Sequence, residues 1–309
     1  ISGTNDGKLW VTKTSNLPKP VWTDLTKNVK GLPEWSTIAQ ISPSTFDAGT
    51  AYIAVTKHLM DDRKPYAFKT TDFGLTWKNV AGNLPSGHPL DYVLTLVENP
   101  NKKGMLFAGP GHGFYYSMDD GTTWTKFTNG LPAAPVTWIA PQKDFHDLAI
   151  STYGRGLWIL PNITALEQTG QTQFPATETK LFAPAPVFRL ARSVFTQNGR
   201  PHFTFALAKD PAGPVKFEIL DSTGAVIRTM TQTGRAGING ANWDLRYEAP
   251  LQVALKTTPP DNPHIWEEPR FQNTDTRRIT HWGITAQTGI PMADRKSTRL
   301  NSSHMSESR

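Results

Sequence analysis

The sequence predicts an all-β protein: a partial β-propeller of about three blades followed by an incomplete β-sandwich. Two observations carry the propeller. A twelve-residue unit occurs twice, as KTTDFGLTWKNV (Lys69–Val80) and YSMDDGTTWTKF (Tyr116–Phe127), 47 residues apart. Between and around the copies lie short apolar runs, TAYIAV, YVLTLVEN, GMLFAG and DLAIS, separated by turn-rich stretches such as SPSTFDAGT and NPNKKG. Four short strands per unit of roughly 50 residues is the signature of a propeller blade. A third observation carries the sandwich. Beyond a polar stretch rich in Gln and Thr, strand-like runs resume with PVFRLA, PHFTFALA and PVKFEILDSTGAVIRTM.

Both repeat units fit Ser/Thr-x-Asp-x-Gly-x-Thr-Trp, which singles out Thr70, Asp72, Gly74 and Trp77 in one and Ser117, Asp119, Gly121 and Trp124 in the other. Each type has a physical task. The Asp accepts backbone N–H groups in the tight turn joining the third and fourth strands. The Gly supplies a positive φ there, and the Trp packs between blades. An aromatic strand precedes each unit and a Leu-Pro pair follows, at Leu84-Pro85 and Leu131-Pro132. A degraded earlier copy, GKLWVTKTSN to VWTDL, ends at Leu32-Pro33, and YGRGLWIL (Tyr153–Leu160) is a later half-copy without the turn.

The unit resembles the Asp-box, or bacterial neuraminidase repeat, of sialidases, xyloglucan-active hydrolases and sortilin-type propellers. That resemblance implies a structural role for the box, on the side of the propeller away from the ligand. LPEWSTIAQISPSTFDAGTAYIAV, KPYAFKTTDFGLTW, STYGRGLWIL and NGANWDLRYEAP resemble, more narrowly, a group of secreted bacterial propeller proteins described as glycosyl hydrolase-like or sortilin-like. The likeness covers most of residues 1–293 and implies an extracellular or periplasmic location. It departs at Tyr153, where the group implies a histidine, and at His112, where it implies an acid.

The predicted organisation is a propeller fragment at 1–163, a linker at 164–180, an incomplete sandwich at 181–293, and a non-native tail at 294–309. Thr164 and Glu167 form a capping-box pattern that predicts one helical turn. Asp221-Ser222-Thr223-Gly224 predicts a hairpin turn, and Trp243 a core anchor. The second domain is similar to the Ig-like domain of flagellar hook-capping proteins, with 259–283 as a long insertion. DRKSTRLNSSH, which opens the last sixteen residues, resembles the translation of a widely used short-read sequencing adapter. This implies that the native segment is a fragment.

The chain has no cysteine, which excludes disulfides and thiolate metal sites. Its formal net charge is +6, of which the tail's four basic and two acidic residues supply +2. No basic stripe accompanies that charge, so nucleic acid is not an expected partner. No apolar run approaches the length of a membrane span. There is no phosphate loop, Ser/His/Asp signature or His-x-x-x-His motif, and neither cofactor nor metal is expected.

Blade topology assigns candidate residues to two ends. Asp144, His146 and Asp147 fall at the box end, as a possible metal cluster or, preferably, a solvated turn. The opposite end gathers loops 57–64, 83–91, 110–113 and 152–155, the usual ligand face of propellers. Asp61, Asp62 and Asp91 are candidate carboxylates for glycoside hydrolysis, which needs a pair about 5 Å apart for retention or about 6.5–9.5 Å apart for inversion. His58, His88 and His112 are candidate ligands or proton carriers. Tyr92, Trp35 and Trp138 could stack on sugar rings. The plainer reading pairs Asp62 with Arg63 or Lys64 and packs the tryptophans between blades. Arg155 and Tyr153 alone do not make the arginine triad and Tyr–Glu pair of a sialidase. The expected function is binding of a carbohydrate or protein ligand at this face, with glycoside hydrolysis as the alternative.

Overall fold

The computed structural model describes residues 1–127, 130–169, 178–185, 201–248, 263–264 and 267–269. The segments PVFRLA, 259–283 and 294–309, expected to be a strand, an insertion and a non-native tail, fall wholly or largely outside these residues. The chain divides into two compact units. The first comprises Ile1–Phe188, His202–Ala208 and Gly237–Gly240, and the second comprises Arg189–Pro201, Lys209–Ala236 and Ala241–Arg309.

The first unit contains a run of antiparallel meanders. Blade 1 is β1 (Ser2–Gly3), β2 (Leu9–Val11) and β3 (Thr23–Asp24). Blade 2 is β4 (Thr37–Pro43), β5 (Ala51–Lys57), β6 (Asp62–Thr70) and β7 (Lys78–Asn79). Blade 3 is β8 (Val93–Glu98), β9 (Leu106–Pro110), β10 (Phe114–Ser117) and β11 (Thr125–Phe127). Blade 4 is β12 (Val136–Pro141), β13 (Leu148–Thr152) and β14 (Gly156–Leu160). The leading strands neighbour one another in series, β1 beside β4, β4 beside β8 and β8 beside β12. This is a partial β-propeller, with the leading strands innermost.

A propeller blade is covered on both faces, so its strands read as continuous apolar runs rather than a strict alternation. Along β5, Ile53 and Val55 join Phe68, Leu9 and Leu25 in the core between blades 1 and 2. Their neighbours Tyr52 and Ala54 turn the other way, to meet Leu106, Tyr115 and Trp124 between blades 2 and 3. On β9 and β10, Phe107, Phe114 and Tyr116 face Val136, Ile139 and Ile150 of blade 4. Period-two alternation thus sorts each strand into two seams.

The two repeat turns have matching hydrogen bonds. Thr70 Oγ1 donates to Asp72 Oδ1 (2.9 Å) and accepts from Gly74 N–H (2.8 Å), while Asp72 accepts Thr76 N–H (2.9 Å) and the Thr76 hydroxyl (2.6 Å). The second turn repeats this with Ser117, Asp119, Gly121 and Thr123 at 2.8, 2.9, 2.8 and 2.6 Å. Gly74 and Gly121 have φ of +88° and +79°. The tryptophans differ. Trp124 Nε1 donates to Val80 O of the preceding blade (3.0 Å), whereas Trp77 Nε1 donates to Gly74 O of its own turn (3.1 Å).

Helix α1 (Thr164–Thr169) follows blade 4. The helical turn expected from Thr164 and Glu167 is present, but the capping-box bonds are not. Asn162 Oδ1 accepts both the N–H and the hydroxyl of Thr164, and the Glu167 carboxylate binds Asn99 and His146 instead of its own helix end. Strands β15 (Lys180–Leu181) and β16 (His202–Leu207) pair antiparallel, with Phe182 and Ala206 packed on Ala165 of the helix.

In the second unit, β17 (Val215–Leu220) and β18 (Val226–Gln232) form the hairpin. Asp221 Oδ1 closes its turn by accepting Thr223 N–H (2.8 Å) and Ala225 N–H (3.0 Å). Strand β19 (Gly237–Asn242) forms a sheet with β15 and β16. Trp243 follows, buried, with its indole N–H on Arg246 O (3.1 Å).

Candidate functional site

The ends of the blades carry different chemistry. At the repeat-turn end, Asp144 is exposed, while His146 Nδ1 meets Glu167 Oε2 at 2.6 Å and Asp147 accepts Asn162 N–H at 2.9 Å. Asp144 stays on a solvated turn while His146 and Asp147 serve different partners, so the three do not come together as a metal cluster. Between blades 2 and 3 the buried Tyr52 hydroxyl lies 3.1 Å from Glu98 and 3.0 Å from Asp120. Burial, then the charges of Glu98 and Asp120, push its ionisation far above the ordinary tyrosine range. These groups tie blades together.

The opposite end is built by the β5–β6 hairpin, the loop from β7 to β8, and the β9–β10 turn. An open groove of about 500 Å³ is lined by Asp61, Asp62, Arg63, Lys64, Ser86, Gly87, His88 and Pro89. Arg63 bridges its two walls, with its Nε 3.3 Å from Asp61 Oδ1 and its Nη1 donating to Pro89 O at 3.1 Å. Asp62 does not pair with the Arg63 or Lys64 side chains. Its Oδ2 accepts the Tyr66 hydroxyl (2.8 Å), and the tyrosine ionisation is pushed up to about 12, first by burial and then by that bond.

Behind the groove, His58 stacks on Tyr92 with centroids 4.1 Å apart and planes within 12°. Its Nδ1 lies 2.7 Å from Thr56 Oγ1, and burial, followed by the Arg63 charge, lowers its pKa. Tyr92 is buried under this stack and is not open to a sugar ring. Asp91 also departs from expectation. It is 1% exposed, so it cannot touch a glycosidic bond. Its Oδ2 accepts His88 N–H at 2.6 Å, and Oδ1 is buried without a hydrogen bond. His112 Nδ1 stands 3.5 Å from Asp91 Oδ1 and meets Leu90 O at 3.2 Å. At 3.5 Å the contact with Asp91 is long for a charge-assisted bond, and the shorter approach is to Leu90 O.

Gly111 makes this proximity possible. A Cβ there would come within 2.7 Å of Leu90 O and 2.8 Å of the Tyr92 ring, so only glycine lets the β9–β10 turn dock on the 88–92 loop. The His88 and His112 rings are then 4.7 Å apart.

Tyr153 and Arg155 sit on the exposed β13–β14 turn, where their backbones bond within blade 4: Tyr153 N–H to Pro135 O, and Arg155 O from Trp158 Nε1. Trp35 and Trp138 are not packed between blades, being 67% and 54% exposed. Topology places both near the starts of innermost strands, at the groove end. Trp35 holds a left-handed backbone, φ +58°, which is unusual for a bulky residue.

No protein-family description matches the chain, and no curated protein matches it. Solved structures do. One is the Niastella koreensis GH74 enzyme, at 16% identity over 74% of this chain and 34% of that one, with a TM-score of 0.38. The GH74 xyloglucanase from Xanthomonas campestris matches at 16% identity over 66% of this chain and 31% of that one, also at 0.38. The KlAtg21 complex with the coiled coil of AgAtg16 matches at 11% identity, over 74% of this chain and 66% of that one, at 0.35. The chain spans about a third of the length of the two enzymes. No helix among the described residues is long and apolar enough to cross a membrane.

Proposed function

We propose that this chain is part of a secreted Asp-box propeller of the sortilin-like or glycosyl hydrolase-like bacterial group, joined to an Ig-like domain. Its groove end binds a polysaccharide. The observation that carries this reading is the groove itself, where Asp61 and Arg63 on one wall and His88 on the other present acceptors and donors to solvent. Such groups fix the orientation of a polyhydroxyl ligand. Trp35 adds an exposed indole held in a costly backbone conformation, and strain of this kind is kept where a side chain acts outside the fold. Glycoside hydrolysis is the second reading. It is favoured by Asp61 and Asp62 on one hairpin and weakened by the burial of Asp91.

The test is binding and turnover of a polysaccharide panel by the full chain, its Trp35→Ala variant and an Asp61→Asn/Asp62→Asn double variant. Binding without turnover, weakened about tenfold or more in Trp35→Ala by loss of stacking, is the expected result. Turnover abolished by the double Asn variant establishes the hydrolase. Failure to bind any glycan sinks the carbohydrate reading and leaves a protein ligand.

A further inference from the structure

The cluster behind the groove has a property that glycan binding does not explain. Asp91 is a buried carboxylate with one oxygen bonded to His88 N–H and the other without a hydrogen bond. A buried acceptor left in that state is costly. Two imidazoles flank it, and one residue positions both. Leu90 N–H donates to His88 Nδ1 at 3.1 Å, and Leu90 O meets His112 Nδ1 at 3.2 Å. The 88–91 turn is closed in both directions, by His88 N–H to Asp91 Oδ2 and by Asp91 N–H to His88 O at 3.1 Å. The cluster is therefore held by backbone on two loops docked through Gly111.

We propose that His88, Asp91 and His112 form a binding site for a divalent first-row transition ion, with zinc as the representative case. Their ligand atoms lie within 4.8 Å of one another. Bonds of about 2.1 Å in a tetrahedral site place ligands about 3.4 Å apart. Asp91 Oδ1 and His112 Nδ1 already stand at 3.5 Å. The remaining contraction falls to His88, whose exposed ring turns toward the ion by giving up the Nδ1 bond from Leu90 N–H. Coordination through Nδ1 of His112 gives up its contact with Leu90 O and moves the ring proton to Nε2. The bare Asp91 oxygen gains the cation it lacks. Two nitrogens and one carboxylate oxygen select zinc, copper, nickel or iron over calcium and magnesium, which take oxygen ligands. Three protein ligands leave a fourth position for water or ligand, and His88 places that position beside the groove it lines.

The site needs no assumption about the glycan, and its test uses metal alone. The full chain, stripped of metal, is titrated with zinc chloride by calorimetry, and with cobalt(II) followed by visible absorption. The expected result is one zinc per chain, competed by cobalt with intense d–d bands typical of tetrahedral geometry. Second-shell changes already weaken sites by 10–100-fold, so His112→Ala or His88→Ala should weaken zinc binding by about 100-fold or more. Because His88 is exposed, its variant should keep the native thermal transition, which separates lost ligation from lost folding. No zinc binding by the folded wild type overturns the proposal. So does unchanged affinity in the His88→Ala/His112→Ala double variant.

Discussion

Blade 3 and the loop leading into it hold two aspartates with opposite circumstances. Asp119, in the repeat turn, uses both oxygens: Oδ1 on Ser117 and Thr123 N–H, Oδ2 on the Thr123 hydroxyl. Asp91, at the other end, is far more buried yet leaves Oδ1 without a hydrogen bond. The contrast separates a fold-making carboxylate from one held ready. The repeat turn satisfies its polar groups locally, within seven residues, so it can be copied from blade to blade. The Asp91 site depends on two loops meeting and occurs once among the described residues.

The sharpest way to break this contrast is Gly121→Ala. The new Cβ would fall 2.6 Å from Val80 O and 2.7 Å from Val80 Cβ, in a backbone at φ +79°. Overpacking against backbone and left-handed strain together predict a loss of about 3 kcal/mol, read by urea unfolding. A loss below a tenth of that would mean that the turn is not a seam element.

Next in size is Asp119→Asn, which forfeits charge-assisted bonds and should cost about 1–2 kcal/mol near neutral pH. Burial is the largest single influence on Asp119 and raises its pKa, but the Thr123 hydroxyl, Thr123 N–H and Ser117 together leave the net shift downward. A depressed folded pKa gives stability that is present above the unfolded value, about 3.9. That stability is lost as pH falls through the lower folded value. The gap between wild type and Asp119→Asn should therefore narrow below about pH 4. A gap constant down to full acid unfolding would show that the bonds contribute without their charge.

The smallest effect on folding is expected from Asp61→Asn. Its pair with Arg63 is solvent-exposed, and such pairs rarely contribute measurably. Its thermal transition should match wild type. A clear fall would move Asp61 from the proposed ligand face to the scaffold.

The same contrast explains what could be read from the chain. The runs TAYIAV and GMLFAG, apolar on both parities, announce strands covered on two faces, and the Asp–Gly–Thr–Trp spacing announces a turn that closes on itself. Both are local signals. The fate of Asp91 was not legible, because its burial depends on Gly111 docking a turn from twenty residues downstream. Tyr92 looked available to a ligand for the same reason, and the His58 stack that covers it joins separate loops. Trp35 and Trp138 offered no local clue to exposure, since an indole near a strand start is buried or bare according to the neighbouring blade. The Thr164–Glu167 pattern located the helix but not the partner of Glu167, because His146, twenty-one residues earlier, takes that carboxylate.

The seams between blades have a consequence for assembly. Beside Tyr52, blade 2 turns the small Ala54 and Ala67 toward blade 3, which answers with Tyr115 and Trp124. At the equivalent face, 47 residues on, blade 3 turns the bulky Phe114 toward the slimmer Val136 and Ile139 of blade 4. The blades share a backbone plan but not a contact surface. Exchanging two of them would crowd one seam and hollow the other. Side-chain size therefore acts as a key that fixes the order of otherwise similar parts and guards against swapped neighbours while the chain folds.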